Sequence, residues 1–332
     1  MNATIISSQT LRDTVVEVVQ SQAVTDIHTH LFTPAFGDLL VWGIDELLTY
    51  HYLIAETFRK SQLPYEKFWS MGKTEQADLI WRTLFIENSP ISEACRGVVT
   101  TLNELGLDVK SRNLQRYRDY FAGMKVEDYI DRVFELAKVK EVVMTNDPFD
   151  PFERPVWLSN MAGDRRFHAA LRLDVLLNTY QETGCQQLSS LGYNVDASLS
   201  ETALREIRRF LEDWIGQMHP KYMAVSLPPD FQYPEDSARS KIIQACILPV
   251  SREFNTPFAL MIGVKRAVNP HLRLAGDGMG KADLTSLENL LRDHQGNKFL
   301  VTLLSRENQH ELCVLGRKFR NLMVFGLSLI HI

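Results

Sequence analysis

Apolar and polar positions change period several times along this chain, and each change marks an element. Leu11, Val15, Val18 and Val19 recur at helical spacing, which predicts a helix from about Ser8 to Gln22 closing the bottom of the sheet that follows. Ala23-Val24-Thr25-Asp26-Ile27-His28-Thr29-His30 then reads as a short strand, ended by Pro34, which cannot donate to a sheet ladder. From Gly37 to about Ala137 the chain is aromatic-rich, charged and helically periodic, with Pro64 and Pro90 as breaks, so a helical insertion is expected there. Beyond Lys140 short apolar runs alternate with helical periods: 141–146, 167–174, 222–227, 258–264, 298–304 and 321–326.

These runs are nearly continuous in apolar character, as a parallel sheet covered on both faces requires. With the first strand they number about seven, separated by helices, which predicts an α/β fold of the (β/α)8 or TIM-barrel kind lacking its eighth strand, with a large helical insertion after strand 1. A complete, open, doubly wound sheet is the competing arrangement. The expected organisation is an N-terminal helix and strand 1 over 1–36, the insertion over the barrel mouth at 37–137, strands 2–7 with their helices at 138–326, and an atypical tail at 327–332. That tail, Leu327-Ser328-Leu329-Ile330-His331-Ile332, is apolar and uncapped, so the expectation is a chain that stops short of a full barrel, with two open edges that invite aggregation or partner pairing.

Composition narrows the function classes. A chain of 332 residues, 45% hydrophobic, can bury a core large enough for such a barrel. The formal charge is -5 and no Lys/Arg cluster is interleaved with aromatics, so nucleic acid is not an expected partner. Cys95, Cys185, Cys246 and Cys313 are far apart, which fits reduced thiols rather than a zinc knuckle or redox dithiol. No basic leader precedes an apolar run and no run is long enough to span a bilayer, so a cytoplasmic protein without membrane association is expected, with homo-oligomerisation left open.

Candidate chemistry gathers at strand ends. Successive strand residues alternate faces, so Asp26, His28 and His30 share one side, and the two imidazoles can converge on a cation. Arg172 and Asp174 share a face at the end of strand 3: Arg172 is a bidentate partner for a carboxylate, or the two form an internal ion pair. Lys265 and Arg266 follow strand 5, placed for an anion or simply solvated. His51 and Tyr52 are the polar oddities of an amphipathic helix in the insertion. Ser305 is read as a helix cap, Asn146-Asp147-Pro148 as a turn, and Gly276-Asp277-Gly278-Met279-Gly280 as a flexible loop without dinucleotide spacing.

Taken in order, Thr25-Asp26-Ile27-His28-Thr29-His30, His51-Tyr52, Met144-Thr145-Asn146-Asp147-Pro148, Arg172-Leu173-Asp174 and Ile262-Gly263-Val264-Lys265-Arg266 resemble uronate (glucuronate) isomerases of the amidohydrolase superfamily, over essentially the whole chain to Gly326. The resemblance implies a distorted barrel, a divalent metal, usually Zn2+, and reversible aldose–ketose isomerisation of a hexuronate. By motif position it makes His28 and His30 metal ligands, sets His51 and Tyr52 against the sugar as catalytic residues, and gives Arg172 and Arg266 to substrate binding. Tyr52 is a proton carrier if its pKa is lowered. Met261 stands where many members carry a His, and the family's eighth-strand Asp, with an Arg two residues on, falls beyond Ile332. A metal-dependent hydrolase and an inactive fragment of the isomerase are the alternative readings.

Overall fold

The apolar runs pair in chain order. In a computed structural model describing residues 7–159 and 163–326, β1 (Val24–Thr29), β2 (Val139–Asn146), β3 (Phe167–Arg172), β4 (Met223–Leu227), β5 (Phe258–Ile262), β6 (Phe299–Leu303) and β7 (Leu322–Val324) form one parallel sheet in that sequence. A doubly wound sheet would reverse its order at a switch point, and this one does not. The sheet is curled: the Tyr222 hydroxyl, just ahead of β4, donates to the Ile27 carbonyl of β1 at 2.6 Å, although β2 and β3 lie between them along the ladder. The architecture is a partial TIM-type barrel, open between β1 and β7 among the described residues. The atypical tail expected at 327–332 lies outside them.

Side-chain alternation sorts the sheet into two faces. Residues such as Met144, Leu171, Val225, Leu260 and Val301 point outward and are buried against the surrounding helices in the main core. The alternate positions point inward, where Val143, Ala170, Ala224 and Ala259 make a lining of small residues beneath Met261 and Leu300. Alanine at three central inward positions leaves room above it, so the larger groups one step further along each strand meet at the carboxyl-end mouth.

The segment between β1 and β2 folds as short helices, among them Ile44–Leu48, His51–Phe58, Lys73–Trp81, Glu93–Glu104 and Leu114–Ala122. These helices build a core of their own around Leu48, Phe68, Ile80, Leu102 and Tyr117. One residue from the barrel's loops, Leu272, inserts into it. The loop after β5 is therefore latched to the insertion: Trp69 Nε1 donates to the His271 carbonyl at 2.8 Å, and the Tyr65 and His271 rings stack with centroids 5.4 Å apart.

Three expectations are corrected. The helix Ser8–Ser21 forms, capped by Ser7, but buries no residue; Val15 is 52% and Val19 68% exposed. Its periodicity predicts an amphipathic helix but carries no information about which surface would cover it, and no described element does. The glycine-rich 276–280 stretch is not a loose loop, because Gly278–Met279 pairs antiparallel with Val264–Lys265. Ser305 sits at the start of the short helix Arg306–Asn308 but makes no capping hydrogen bond.

Gly276 is what allows this loop to close. A Cβ there would stand 1.9 Å from the Asn269 carbonyl oxygen, well inside van der Waals contact with backbone. Gly276→Ala is expected to loosen the latch and to cost about 1–3 kcal/mol in urea unfolding at unchanged m-value; an unaltered midpoint would show that the loop accommodates the methyl group.

Candidate active site

The inward positions of β1–β5 and the insertion enclose a cavity of about 780 Å3, lined among others by His28, His30, Tyr50, His51, Tyr52, Thr145, Arg172, Asp174, Ser226, Met261, Arg266 and Asp277. The six residues to which the family resemblance gives roles, His28, His30, His51, Tyr52, Arg172 and Arg266, all line this one space, whereas Asp26 and Lys265 do not. Its size suits a small ligand held largely out of water.

The two histidines are set by backbone and by hydroxyls. His28 is the fifth residue of β1 and His30 follows its end; their rings meet edge to face with centroids 5.5 Å apart. The Tyr222 hydroxyl, which spends its proton on the Ile27 carbonyl, lies 3.3 Å from His28 Nδ1. Thr145 Oγ1 repeats the arrangement more loosely one strand over, 3.4 Å from both the Thr29 carbonyl and His30 Nδ1. A hydroxyl whose proton is committed can only accept, so His28 Nδ1 is the donor and its Nε2 keeps the lone pair. Burial, then the His30 ring and the Arg172 cation, pulls the His28 pKa down to about 3, and burial followed by Arg172 lowers that of His30. Both imidazoles are therefore neutral at physiological pH, the state a metal ligand needs. Among the described residues no group of three His, Cys, Asp or Glu side chains is placed to hold an ion, so the pair offers two nitrogens. Met261, in the fifth-strand position where a third imidazole was in question, adds apolar wall to the cavity.

Arg172 supplies the positive charge. Its Nε and Nη2 both lie 3.0 Å from Asp174 Oδ2, and the other Asp174 oxygen accepts from the Ser226 backbone N–H at 3.3 Å. The ion pair and the mouth-facing fork, alternatives in the sequence, thus coexist. Burial opposes the guanidinium's charge, but Asp174 and Asp147 outweigh it and raise the Arg172 pKa. Nη1 is the corner that no described group takes. Arg266 behaves differently: it is 57% exposed, and Asp277, on the paired strand of the ribbon after β5, holds its Nη1 while accepting from the Ala267 N–H.

The insertion's wall is the first turn of the helix His51–Phe58. Leu53, Ile54 and Thr57 face the insertion core, which leaves His51 and Tyr52 on the side of the mouth. Tyr50, His51 and Tyr52 form an aromatic trio, the last two with centroids 4.0 Å apart. The protein's own groups do not lower the Tyr52 pKa: burial, with Tyr50 beside it, pushes its phenol up to about 12. Sequence reasoning also missed Tyr222 and Thr145. Period-two alternation back from Ser226 through Ala224 was the available signal for Tyr222, but its partner lies across the curl of the sheet, out of reach of any local pattern.

No family model matches the chain, and no curated protein does. Solved structures do. A uronate isomerase from Bacillus halodurans C-125 is 57% identical over 97% of this chain and 76% of its own, with a TM-score of 0.95. A uronate isomerase from Thermotoga maritima, 16% identical over 92% of this chain and 76% of its own, superimposes with a TM-score of 0.73. A glucuronate isomerase from Caulobacter crescentus, 13% identical over 99% and 78%, gives 0.72. At those two identities the likeness speaks for the fold alone. The first is of another order, because more than half the residues agree over almost the entire length of this chain; the chain belongs to the uronate isomerase family.

Proposed function

We propose that this chain catalyses the reversible aldose–ketose isomerisation of a hexuronate, D-glucuronate to D-fructuronate, D-galacturonate to D-tagaturonate, or both. The observation that carries the reading is the 57% identity to a uronate isomerase over 97% of the chain. The juxtaposition of Arg172 with two neutral imidazoles in one cavity supports it.

A divalent cation fits the donor set in part: His28 and His30 would supply two nitrogens through Nε2. When bound, such an ion polarises sugar oxygens as a Lewis acid. The chain's own groups account for the remainder. The open Nη1 of Arg172, kept charged by Asp174, binds the remote carboxylate and so orients the carbons that exchange a proton. Tyr52, protonated at neutral pH, donates a hydrogen bond to an oxygen gaining charge in an enediol-like transition state rather than acting as the base. His51 packs edge-on against that phenol and is the neighbouring titratable ring. Arg266, tied to Asp277 at the rim, adds positive charge where an anion enters. The apolar walls, Phe32, Leu39, Met261 and Leu304 among them, help exclude water from the reacting carbons.

Incubation with D-glucuronate and with D-galacturonate in the presence of Zn2+ or Mn2+, followed by proton NMR, is expected to show ketose from at least one; neither ketose forming would overturn the reading. Arg172→Met should raise KM roughly 10- to 100-fold with far less effect on the melting temperature, since one charge-assisted contact is lost. Tyr222→Phe removes the acceptor that fixes the His28 tautomer, and Zn2+ affinity by competition titration is expected to fall roughly 10- to 100-fold. An unchanged isotherm would exclude that role.

A further inference from the structure

Behind the mouth, outside the residues assigned so far, lies a buried acid. Glu153 opens the helix Glu153–Leu158 and is only 6% exposed. Its Oε2 accepts from Asn146 Nδ2 at 2.8 Å and from the Asp147 backbone N–H at 3.1 Å, clamping the turn that leaves β2. Asp150 fixes the clamp from the other side, its Oδ1 accepting from the N–H groups of Phe152 and Glu153 at 2.7 and 3.0 Å. Asp147 is half-buried with Oδ1 accepting from the Phe149 N–H, and both Asp147 and Glu153 act electrostatically on Arg172. The charged groups facing Glu153 are thus Asp147 and Asp150 from its own turn, with Arg172 across from β3 and Asp174 beyond it.

We propose that Glu153 is a positioning residue for the substrate-binding arginine: it clamps the turn that carries Asp147 beside Arg172, and the protonation of these two carboxyls sets how much guanidinium charge remains for an anionic substrate. This rests on the isomerase reading for the identity of that anion. Two carboxylates confined together beside one cation already paired with Asp174 do not both ionise readily. Burial first, and the neighbouring Asp147 and Asp150, push Glu153 up to about 7 despite its two donors; burial also raises Asp147. Asn146 is suited to either state. Its Oδ1 is buried without a hydrogen-bond partner, so a half-turn of the amide offers a protonated Glu153 an acceptor while exchanging one unpartnered atom for another.

The consequences run in a definite direction. As pH rises through neutrality Glu153 ionises, a further carboxylate competes for Arg172, and KM for the uronate is expected to climb roughly three- to tenfold while kcat follows a different profile. Glu153→Gln, which mimics the neutral acid, should flatten that climb. Stability gives a readout free of substrate. A carboxyl whose pKa is higher folded than unfolded contributes most at low pH and loses that contribution as pH rises, so the melting temperature of Glu153→Gln relative to the unmodified chain should widen from about pH 4.5 to about pH 7 and then level off. A variant keeping the original KM profile, or a melting difference that ignores pH, would overturn the proposal. If no hexuronate is turned over, the isomerase reading fails and the melting comparison still judges Glu153. If the variant does not fold, the 15N shift of the Asp147 amide in the unmodified chain, which donates to Glu153, is expected to titrate near neutrality; a flat shift there would count against the pair.

Discussion

A parallel ladder between strands buried on both faces is the constraint from which the rest follows. Parallel pairing cannot close through tight hairpins, so each of the first six strands is followed by a crossover and all seven carboxyl ends open at one side. The last inward residues of the first five strands are thereby delivered to a common mouth: His28 and His30 from β1, Thr145 from β2, Arg172 from β3, Ser226 from β4 and Met261 from β5. The alanines beneath them matter as much as the groups themselves. Larger side chains at 170, 224 and 259 would fill the space the site occupies.

The electrostatics of the mouth are those of one cation in low-dielectric surroundings. Arg172 lowers the pKa of both imidazoles and is itself sustained by Asp174 and Asp147. The charge that adds to burial in keeping His28 and His30 neutral itself requires carboxylates to keep it ionised. Too little acid behind Arg172 would leave an unpaired buried charge, and too much would leave nothing for the substrate. Placing a third acid, Glu153, within reach of that balance makes the grip on an anion adjustable.

The insertion contributes a wall with its own core. Because the helices from Ile44 to Ala122 pack around Phe68 and Leu102 in a cluster separate from the barrel's main core, His51 and Tyr52 stand on a packed support rather than on a free loop. Leu272 and the Trp69–His271 hydrogen bond tie that support to the loop after β5. The glycine-dependent turn at Gly276 is thus one of the links between the two packed bodies that build the mouth.

Local pattern was sufficient for much of this. Continuous apolar runs marked the seven strands within a residue or two, and period-two alternation put His28, His30 and Arg172 on the inner face, because strand geometry makes facing a property of position alone. Motif order over the chain pointed to the family that the 57% identity establishes. What the sequence could not contain are relations between residues far apart along the chain. Tyr222 beside His28, separated by 194 positions, sets a tautomer only because the sheet curls. Tyr52's high pKa and Glu153's burial arise from desolvation by distant neighbours. The exposed apolar face of Ser8–Ser21 makes the same point in reverse: helical periodicity declares that a face exists, and only tertiary packing decides whether anything lies against it.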